Sequence, residues 1–295
     1  MSYENEDQVC KPKSLPPALW ETAAQRAVEV NPQNFAPIHR LKKVITDFPV
    51  TRERIAVATQ KYWHTSGVRL TVSFLDSPPM ELRARILSHM NAWSSRVNCT
   101  FLETATGGDV RIARTSGDGH WSYLGTDILS VSPHQPTMNL DSFTTSTRES
   151  EFVRVVRHET GHTLGCPHEH MRGELVALID PEKAIEYFRL TQGWSAEETR
   201  QQVLTPLEDG SLIGTPHPDP GSIMCYQIPG TITKNGKPIV GGLDIDELDY
   251  KFMASIYPKP AAAETEAYEG LLARMEKAEA DREALRKALA LVIGL

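Results

Sequence analysis

Hydrophobic and polar residues alternate in three short segments between residues 68 and 115. "VRLTVSFLD" (68–76) alternates and is rich in β-branched residues, and "CTFLET" (99–104) and "DVRIART" (109–115) have the same character. A period of two places one face of a strand in the core and the other in solvent. The pattern predicts three strands, and residues 119–140 are expected to form a loop followed by an edge strand.

Helical spacing follows the first strand. Residues 78–97 open with two prolines and repeat apolar side chains at Leu82, Ile86, Met90 and Trp93, which is typical of an amphipathic helix. Further helices are predicted at residues 18–29, 149–165, 180–188, 195–203 and 245–257. Strands and helices are thus both expected, in one α+β body.

Capping residues mark several of these helix ends. Asp180 stands where an N-cap is expected, with Pro181 at the first helical position. Ser195 and Glu198 have the spacing of a capping box. Gly165 ends the helix of residues 149–165, because glycine adopts a positive φ at little cost.

Two flanking regions differ from the body in composition. Residues 1–55 form a leader with the Pro-rich stretch "KPKSLPPALW", and residues 261–295 are rich in Ala, Glu, Lys, Arg and Leu. The second region carries an apolar heptad seam over residues 264–295, interrupted by Arg282. We expect an amphipathic C-terminal helix that mediates self-association, packs back on the body or frays.

Charge and composition exclude several partner classes. The chain has 295 residues, is 40% hydrophobic and carries a net charge of −7. Nucleic acid or an anionic membrane surface is therefore not the expected partner, and no segment has the length of a membrane span. The amino terminus lacks the pattern of a signal peptide, and the four cysteines are widely spread. These features favour a cytoplasmic protein without disulfides, although non-classical export stays open.

The segment "HETGHTLGCPHEH" (158–170) concentrates four histidines and two glutamates in thirteen residues. His158 and His162 are four apart, so a helix places both imidazoles on one face. After a turn at Gly165, His168 can return as a third ligand. Three neutral nitrogens with an open fourth position are typical of a catalytic Zn²⁺ site, whereas a structural site has four protein ligands.

Glu159 directly follows the first histidine, so its side chain cannot share that direction and is expected beside the metal. A carboxylate there can act as general base on a metal-activated water that attacks a carbonyl, and then pass the proton to the leaving amine. The leading hypothesis is a zinc-dependent endopeptidase acting on peptides or proteins. The alternatives are a zinc hydrolase of non-peptide amides or esters, and a zinc-binding scaffold that acts through its C-terminal helix.

The motif HExxHxxGxxH resembles the metzincin signature, and "HETGHTLGCPHEHMR" is similar to its astacin branch, where Glu169 and Arg172 match. The resemblance implies a Met-turn at "SIMCY" (222–226), with Met224 beneath the metal. It implies that Tyr226 is an additional metal ligand or stabilises the oxyanion, and that Glu169 anchors the site.

The resemblance covers residues 60–258 and implies a metzincin-type α+β zincin fold. An upper part (56–165) would hold a twisted sheet, a backing helix and the active-site helix, and a lower part (166–260) would be irregular. Secreted astacins have two disulfides, and this chain lacks the matching cysteines: Cys99 has no counterpart after Tyr257, and His120 stands where the family has the other cysteine.

A pro-segment often blocks the metal in this family. Cys10 as a thiolate or Asp47 as a carboxylate are candidates for that role, but neither lies in a recognisable motif. We expect instead that the leader packs on the body as an extra element and leaves the metal open. No role is assigned to Cys166 or Cys225. The histidines outside the ligand set are expected to lie on the surface or in loops; they are His120, His134, His170 and His217.

Overall fold

The computed structural model describes residues 10, 13–35, 59–206 and 217–261, together with 274, 275, 277–280, 282 and 283. Residues 1–258 form one compact unit and residues 259–295 a second. In the second unit the described residues between 274 and 283 are helical and exposed. Asp47 and most of the seam at 264–295 lie outside the described residues, so their predicted roles stay predictions.

Five strands form one mixed sheet in the order β2-β1-β3-β5-β4. Their bounds are β1 Val68–Phe74, β2 Cys99–Glu103, β3 Val110–Ala113, β4 Trp121–Ser122 and β5 Met138–Asn139. β1 pairs in parallel with β2 and β3, and β3 pairs in parallel with β5. The three alternating segments are therefore strands, each shorter by one to three residues than the sequence pattern predicts.

The edge of the sheet differs from the prediction. β4 pairs antiparallel with β5 and forms this edge of the sheet, although β4 precedes β5 in the chain. The predicted order of a loop and then an edge strand at residues 119–140 is thus wrong. Two-residue strands carry no period that a sequence pattern can reveal, because alternation needs at least four residues.

Eight α-helical segments are described. They are α1 Trp20–Val30, α2 Met80–Met90, α3 Glu149–Glu151, α4 Arg157–Thr163, α5 Gly173–Val176, α6 Pro181–Gln192, α7 Ala196–Thr199 and α8 Glu247–Ile256. A π-helical segment, Phe152–Val156, joins α3 to α4, and a second one, Arg200–Leu204, follows α7. The predicted caps are confirmed at Asp180 and in the capping box of Ser195 with Glu198.

The described part of the leader packs on the body through α1. The small residues Ala23, Ala24 and Ala27 are buried, and α1 packs against a 3₁₀ segment at Gly125–Ser130. The Asn34 side chain donates to the Tyr62 carbonyl at 2.7 Å and accepts from the Tyr62 N–H at 2.9 Å. This reciprocal pair holds the end of α1 in place.

Two hydrophobic clusters build the compact unit. The first surrounds the sheet, α2 and the π-helical segment, with Trp93, Phe101 and Phe152 fully buried. The second lies around α6 and includes Phe188, Trp194 and also Cys10. All four cysteines are described, and each is a buried thiol outside any disulfide. Within the described residues, no helix is both long and apolar enough to cross a membrane.

Two of the four unassigned histidines are not on the surface. His134 and His217 are exposed as expected, but His120 is buried and His170 is fully buried. The His120 Nδ1 accepts from the Asp141 N–H at 3.0 Å, which joins the loops beside β4 and β5. Spacing along one chain does not reveal such a contact, because it joins residues 21 positions apart.

Burial lowers the pKa of His120 from 6.5 to about 4. As the pH falls below 6.5, His120 becomes protonated in the unfolded chain but stays neutral in the folded chain. The free energy of unfolding therefore decreases between pH 6.5 and pH 4. The lost free energy of unfolding is on the order of 3 kcal/mol. His120→Asn keeps an acceptor for the Asp141 N–H without titrating, so urea unfolding should show a correspondingly smaller loss. The matched control is His134→Asn, and equal pH dependence of His120→Asn and the wild type would contradict the prediction.

Candidate metal centre

The three predicted ligands converge through a helix and one tight turn. His158 and His162 lie one turn apart on α4, and Gly165 has φ 105° just beyond the helix end. A Cβ at Gly165 would lie 2.8 Å from the Tyr62 ring, so both the conformation and the space require glycine. The turn brings His168 back to the face that His158 and His162 share.

The Nε2 atoms of these histidines point at a common position. The His168 Nε2 lies 3.1 Å from the Nε2 of His158 and 3.1 Å from that of His162. Zinc–nitrogen bonds of 2.0–2.1 Å in tetrahedral geometry place two nitrogens about 3.3 Å apart. The measured spacing is close to that value.

Backbone carbonyls fix the protonation of two of the rings. The Ile223 carbonyl accepts from the His158 Nδ1 at 2.7 Å, and the Cys166 carbonyl accepts from the His162 Nδ1 at 2.7 Å. A carbonyl only accepts, so each Nδ1 carries the hydrogen and each Nε2 presents a lone pair. Burial lowers the pKa of all three ligands, that of His162 to about 4. Three neutral, converging imidazoles fit a zinc ion.

The Glu159 carboxyl lies beside this cluster rather than in it. The side chain is buried, and within the described residues neither oxygen has a hydrogen-bond partner other than the Cys10 thiol. Burial raises the pKa of Glu159 to about 8, whereas the hydrogen bond with the Cys10 thiol and the charge of Arg154 act to lower it. A buried carboxyl whose described partner is a weak thiol donor is costly for the fold.

The Met-turn packs directly beneath the metal helix. A Cβ at Gly161 would lie 2.4 Å from the Met224 Sδ, so the glycine between His158 and His162 allows the close approach. Asp249 on α8 accepts from the Ser222 Oγ at 2.5 Å and from the Ile223 N–H at 3.0 Å. The turn that supplies the carbonyl to His158 is therefore itself held from the last helix.

Tyr226 and His170 form a stack next to the third ligand. Their ring centroids are 3.9 Å apart with an interplanar angle of 19°, and the Tyr226 ring lies 4.3 Å from that of His168. The Tyr226 hydroxyl donates to the carbonyl of Cys10. Tyr226 is thus near the predicted metal position, with its hydroxyl engaged by the leader.

Cys10 joins the three histidines. Its Sγ and one nitrogen of each of His158, His162 and His168 all lie within 4.8 Å of one another. Burial and then the charge of Glu159 raise the pKa of the Cys10 thiol well above its usual range. The expectation that the leader leaves the metal position open is therefore corrected: the leader packs on the body and also reaches the site. Its cysteine lies about 150 positions from the motif, so spacing alone could not show this.

Glu169 links the metal loop to the approach of the Met-turn. Its N–H donates to the Met224 carbonyl at 2.9 Å, and its carboxylate accepts from the Asp219 N–H at 3.0 Å. Arg172 lies 3.8 Å from the same carboxylate. Glu169 therefore joins the metal loop to residues 219 and 224 by hydrogen bonds and pairs with Arg172.

A cavity of about 90 Å³ opens beside Glu159. It is lined by Cys10, Tyr226, and by His120 and Arg154, which the motif analysis did not assign to the site. Arg154 lies one helical turn before His158 and is half-buried. That spacing of four is the signal by which Arg154 could have been found.

Comparison with known proteins gives one consistent result. The family model for the astacin peptidase family matches residues 56–184. "Zinc metalloproteinase nas-27" of Caenorhabditis elegans is 27% identical over 196 residues, which are 66% of this chain and 41% of that protein. The chain thus spans less than half the length of this relative.

Two solved structures of myroilysin also resemble the chain. The first is 28% identical with a TM-score of 0.64, and the match covers 68% of this chain and 97% of the myroilysin chain. The second is 29% identical with a TM-score of 0.52, and the match covers 68% of this chain and 86% of the myroilysin chain. These similarities confirm the α+β fold class.

Zinc should bind in a ratio of one per chain and stabilise the fold, by about 2.7 kcal/mol when its free concentration is a hundredfold above the Kd. His168→Gln removes one ligand and should weaken binding by more than about 100-fold, since even changes outside the ligand set cost 10–100-fold. Metal analysis and thermal unfolding with added zinc measure both. The control His134→Gln alters an exposed histidine and should bind as the wild type does; unchanged binding in His168→Gln would contradict the assignment.

Proposed function

From its similarity to the astacin peptidase family, we propose that this chain is a zinc-dependent endopeptidase with Glu159 as general base. The family resemblance of residues 158–172 is confirmed by the matches above. One observation carries the proposal: three Nε2 lone pairs converge beside a buried carboxyl whose partner in the described part of the chain is the Cys10 thiol.

His158, His162 and His168 would hold the ion. Bound zinc supplies Lewis acidity, which polarises the scissile carbonyl and makes a water more acidic. The Glu159 carboxylate takes the proton of the attacking water and gives it to the leaving amine. Its low exposure strengthens its electrostatic contacts with the reacting groups.

Tyr226 is proposed to donate a hydrogen bond to the oxygen of the scissile carbonyl. Its hydroxyl already donates to a backbone carbonyl beside the metal position, that of Cys10. A donor aimed at a developing oxyanion typically contributes about 10²–10³ in kcat. The family resemblance also predicts that the Tyr226 oxygen is an additional metal ligand, and we retain that role as part of the proposal.

The outer strand β4 is proposed as the docking edge for substrate. A free sheet edge offers N–H and C=O groups to an extended peptide. In this structure the leader takes that position: Lys13 bridges in parallel to Tyr123, and its N–H donates to the Ser122 carbonyl at 3.4 Å. The Lys13 ammonium also lies 3.6 Å from Asp118 and above the Trp121 ring.

The described conformation is therefore proposed to be latent, with Cys10 as the fourth ligand. Thiolate sulfur is a common zinc ligand, and coordination removes the proton from a thiol. Of the two candidates in the leader, Cys10 is described and lies against the three histidines, whereas Asp47 lies outside the described residues. In this proposal the Cys10 sulfur takes the fourth position that the attacking water would otherwise occupy.

Cys10→Ser should raise peptidase activity of the full chain by about tenfold or more, since the tethered thiol competes at millimolar effective concentration. Initial rates on a mixed peptide library measure the change. Cys99→Ser is the matched control, because Cys99 is buried beneath the sheet away from the histidines, and its rate should equal that of the wild type. Equal rates for Cys10→Ser and Cys99→Ser would contradict latency through Cys10.

Glu159→Gln, made in the Cys10→Ser chain, should retain zinc and lose about 10²–10⁴ of the rate, the usual contribution of a general base. Metal analysis and library cleavage are measured on the same samples. Cleavage that survives with zinc bound would refute the proposed base. Zinc without peptide cleavage in either protein would favour the scaffold, and cleavage of esters alone would favour the non-peptide hydrolase.

A further inference from the structure

His170 is the residue of the motif region to which neither the ligand set nor the general base gives a role. Its side chain is fully buried, and one ring face covers the Tyr226 ring at 3.9 Å and 19°. The His168 ring lies 4.9 Å away at 40°. The rings of His168, His170 and Tyr226 therefore all contact one another, and the closest and most nearly parallel pair is His170 with Tyr226.

A hydrogen bond fixes the plane of the His170 ring. The Gln202 carbonyl accepts from the His170 Nε2 at 3.0 Å, and Gln202 belongs to the π-helical segment Arg200–Leu204. Carbonyls in the last turn of a helix lack an intrahelical partner, so they are available to side chains.

The choice of histidine has a cost that packing alone does not explain. The His170 Nδ1 is buried without a hydrogen-bond partner in the described part of the chain, which destabilises the fold. A phenylalanine would stack on Tyr226 without that cost, but it would lack the bond to Gln202. Only a ring with a donor both stacks and is fixed in its own plane.

We propose that His170 is a positioning residue: it holds the Tyr226 ring so that the Tyr226 hydroxyl points at the oxygen of the scissile carbonyl beside the metal position. The Tyr226 hydroxyl has one described hydrogen bond, which it donates to the Cys10 carbonyl. Once the leader gives way to substrate, the stack on His170 and the Gln202 carbonyl behind it determine where the hydroxyl lies. This inference rests on the proposed peptidase function.

In the Cys10→Ser chain, His170→Ala should lower kcat by about 10–100-fold, because an ångström of misplacement has that effect, and should leave KM within about twofold, because ground-state binding is unchanged. His170→Phe keeps the stack without the anchor and should recover part of kcat. The matched control His134→Ala, at an exposed histidine, should change neither constant. An equal loss in His170→Phe and His170→Ala would overturn a role for the stack.

A double-mutant cycle separates positioning from general loss of stability. If His170 acts through Tyr226, His170→Ala should have no further effect on kcat once Tyr226→Phe has removed the hydroxyl. Fully additive losses would overturn the proposal. Thermal unfolding of each variant sets an assay temperature at which all of them are folded.

A second readout needs neither zinc nor activity. In the full chain with native Cys10 and the metal removed by a chelator, the Tyr226 hydroxyl protects Cys10 through its carbonyl. The rate at which iodoacetamide labels Cys10 is measured by mass spectrometry of the Cys10 peptide. This rate should rise by a similar factor in Tyr226→Phe, in His170→Ala and in the double variant. The labelling rate of Cys99 should stay constant.

The kcat values and the Cys10 labelling rates together distinguish the positioning role of His170 from the proposed peptidase function. Faster labelling in Tyr226→Phe but not in His170→Ala would overturn the positioning role whether or not the protein is a peptidase. The non-additive labelling pattern in a chain that cleaves no peptide would support the positioning role and refute the proposed function.

Discussion

Two hydrogen bonds from imidazole N–H groups to backbone carbonyls determine what this site can do. They join His158 to the Ile223 carbonyl and His162 to the Cys166 carbonyl, each at 2.7 Å. Without them either ring nitrogen could carry the hydrogen, and the lone pairs would not be fixed on one point. The tautomer, the ring plane and the metal geometry thus all follow from where two carbonyls lie.

Those carbonyls are placed by different parts of the chain, which explains why the site needs the whole fold. The Cys166 carbonyl belongs to the turn at Gly165, so it comes with the metal helix. The Ile223 carbonyl belongs to the Met-turn, which Asp249 holds through the Ser222 hydroxyl and the Ile223 N–H. The Asp249 N–H in turn donates to the Asp246 cap of α8 at 2.7 Å. The last helix therefore acts on the first ligand through a chain of hydrogen bonds.

The sequence predicted the features that depend on local spacing. Ligands four residues apart, the glycine turn at Gly165 and the cap at Asp180 are each determined within a few residues, and the structure agrees. Contacts between distant segments were not predictable. The approach of Cys10 to the histidines, the burial of His120 and the position of β4 outside β5 all depend on how separate loops pack, and no period records that.

Under the latency proposed above, the leader need not bind the site strongly to close it. Several of its described contacts are individually weak, among them the edge bridge at Lys13 and the tyrosine hydroxyl on the Cys10 carbonyl. However, α1 and the Asn34 pair fix the chain some twenty residues beyond Cys10, so the thiol is presented at an effective concentration in the millimolar range. At that concentration a ligand of modest affinity occupies an open metal position most of the time. A substrate must then compete for β4, for Tyr226 and for the metal position together. Opening consequently depends on losing the tether or the thiol, rather than on weakening any single contact.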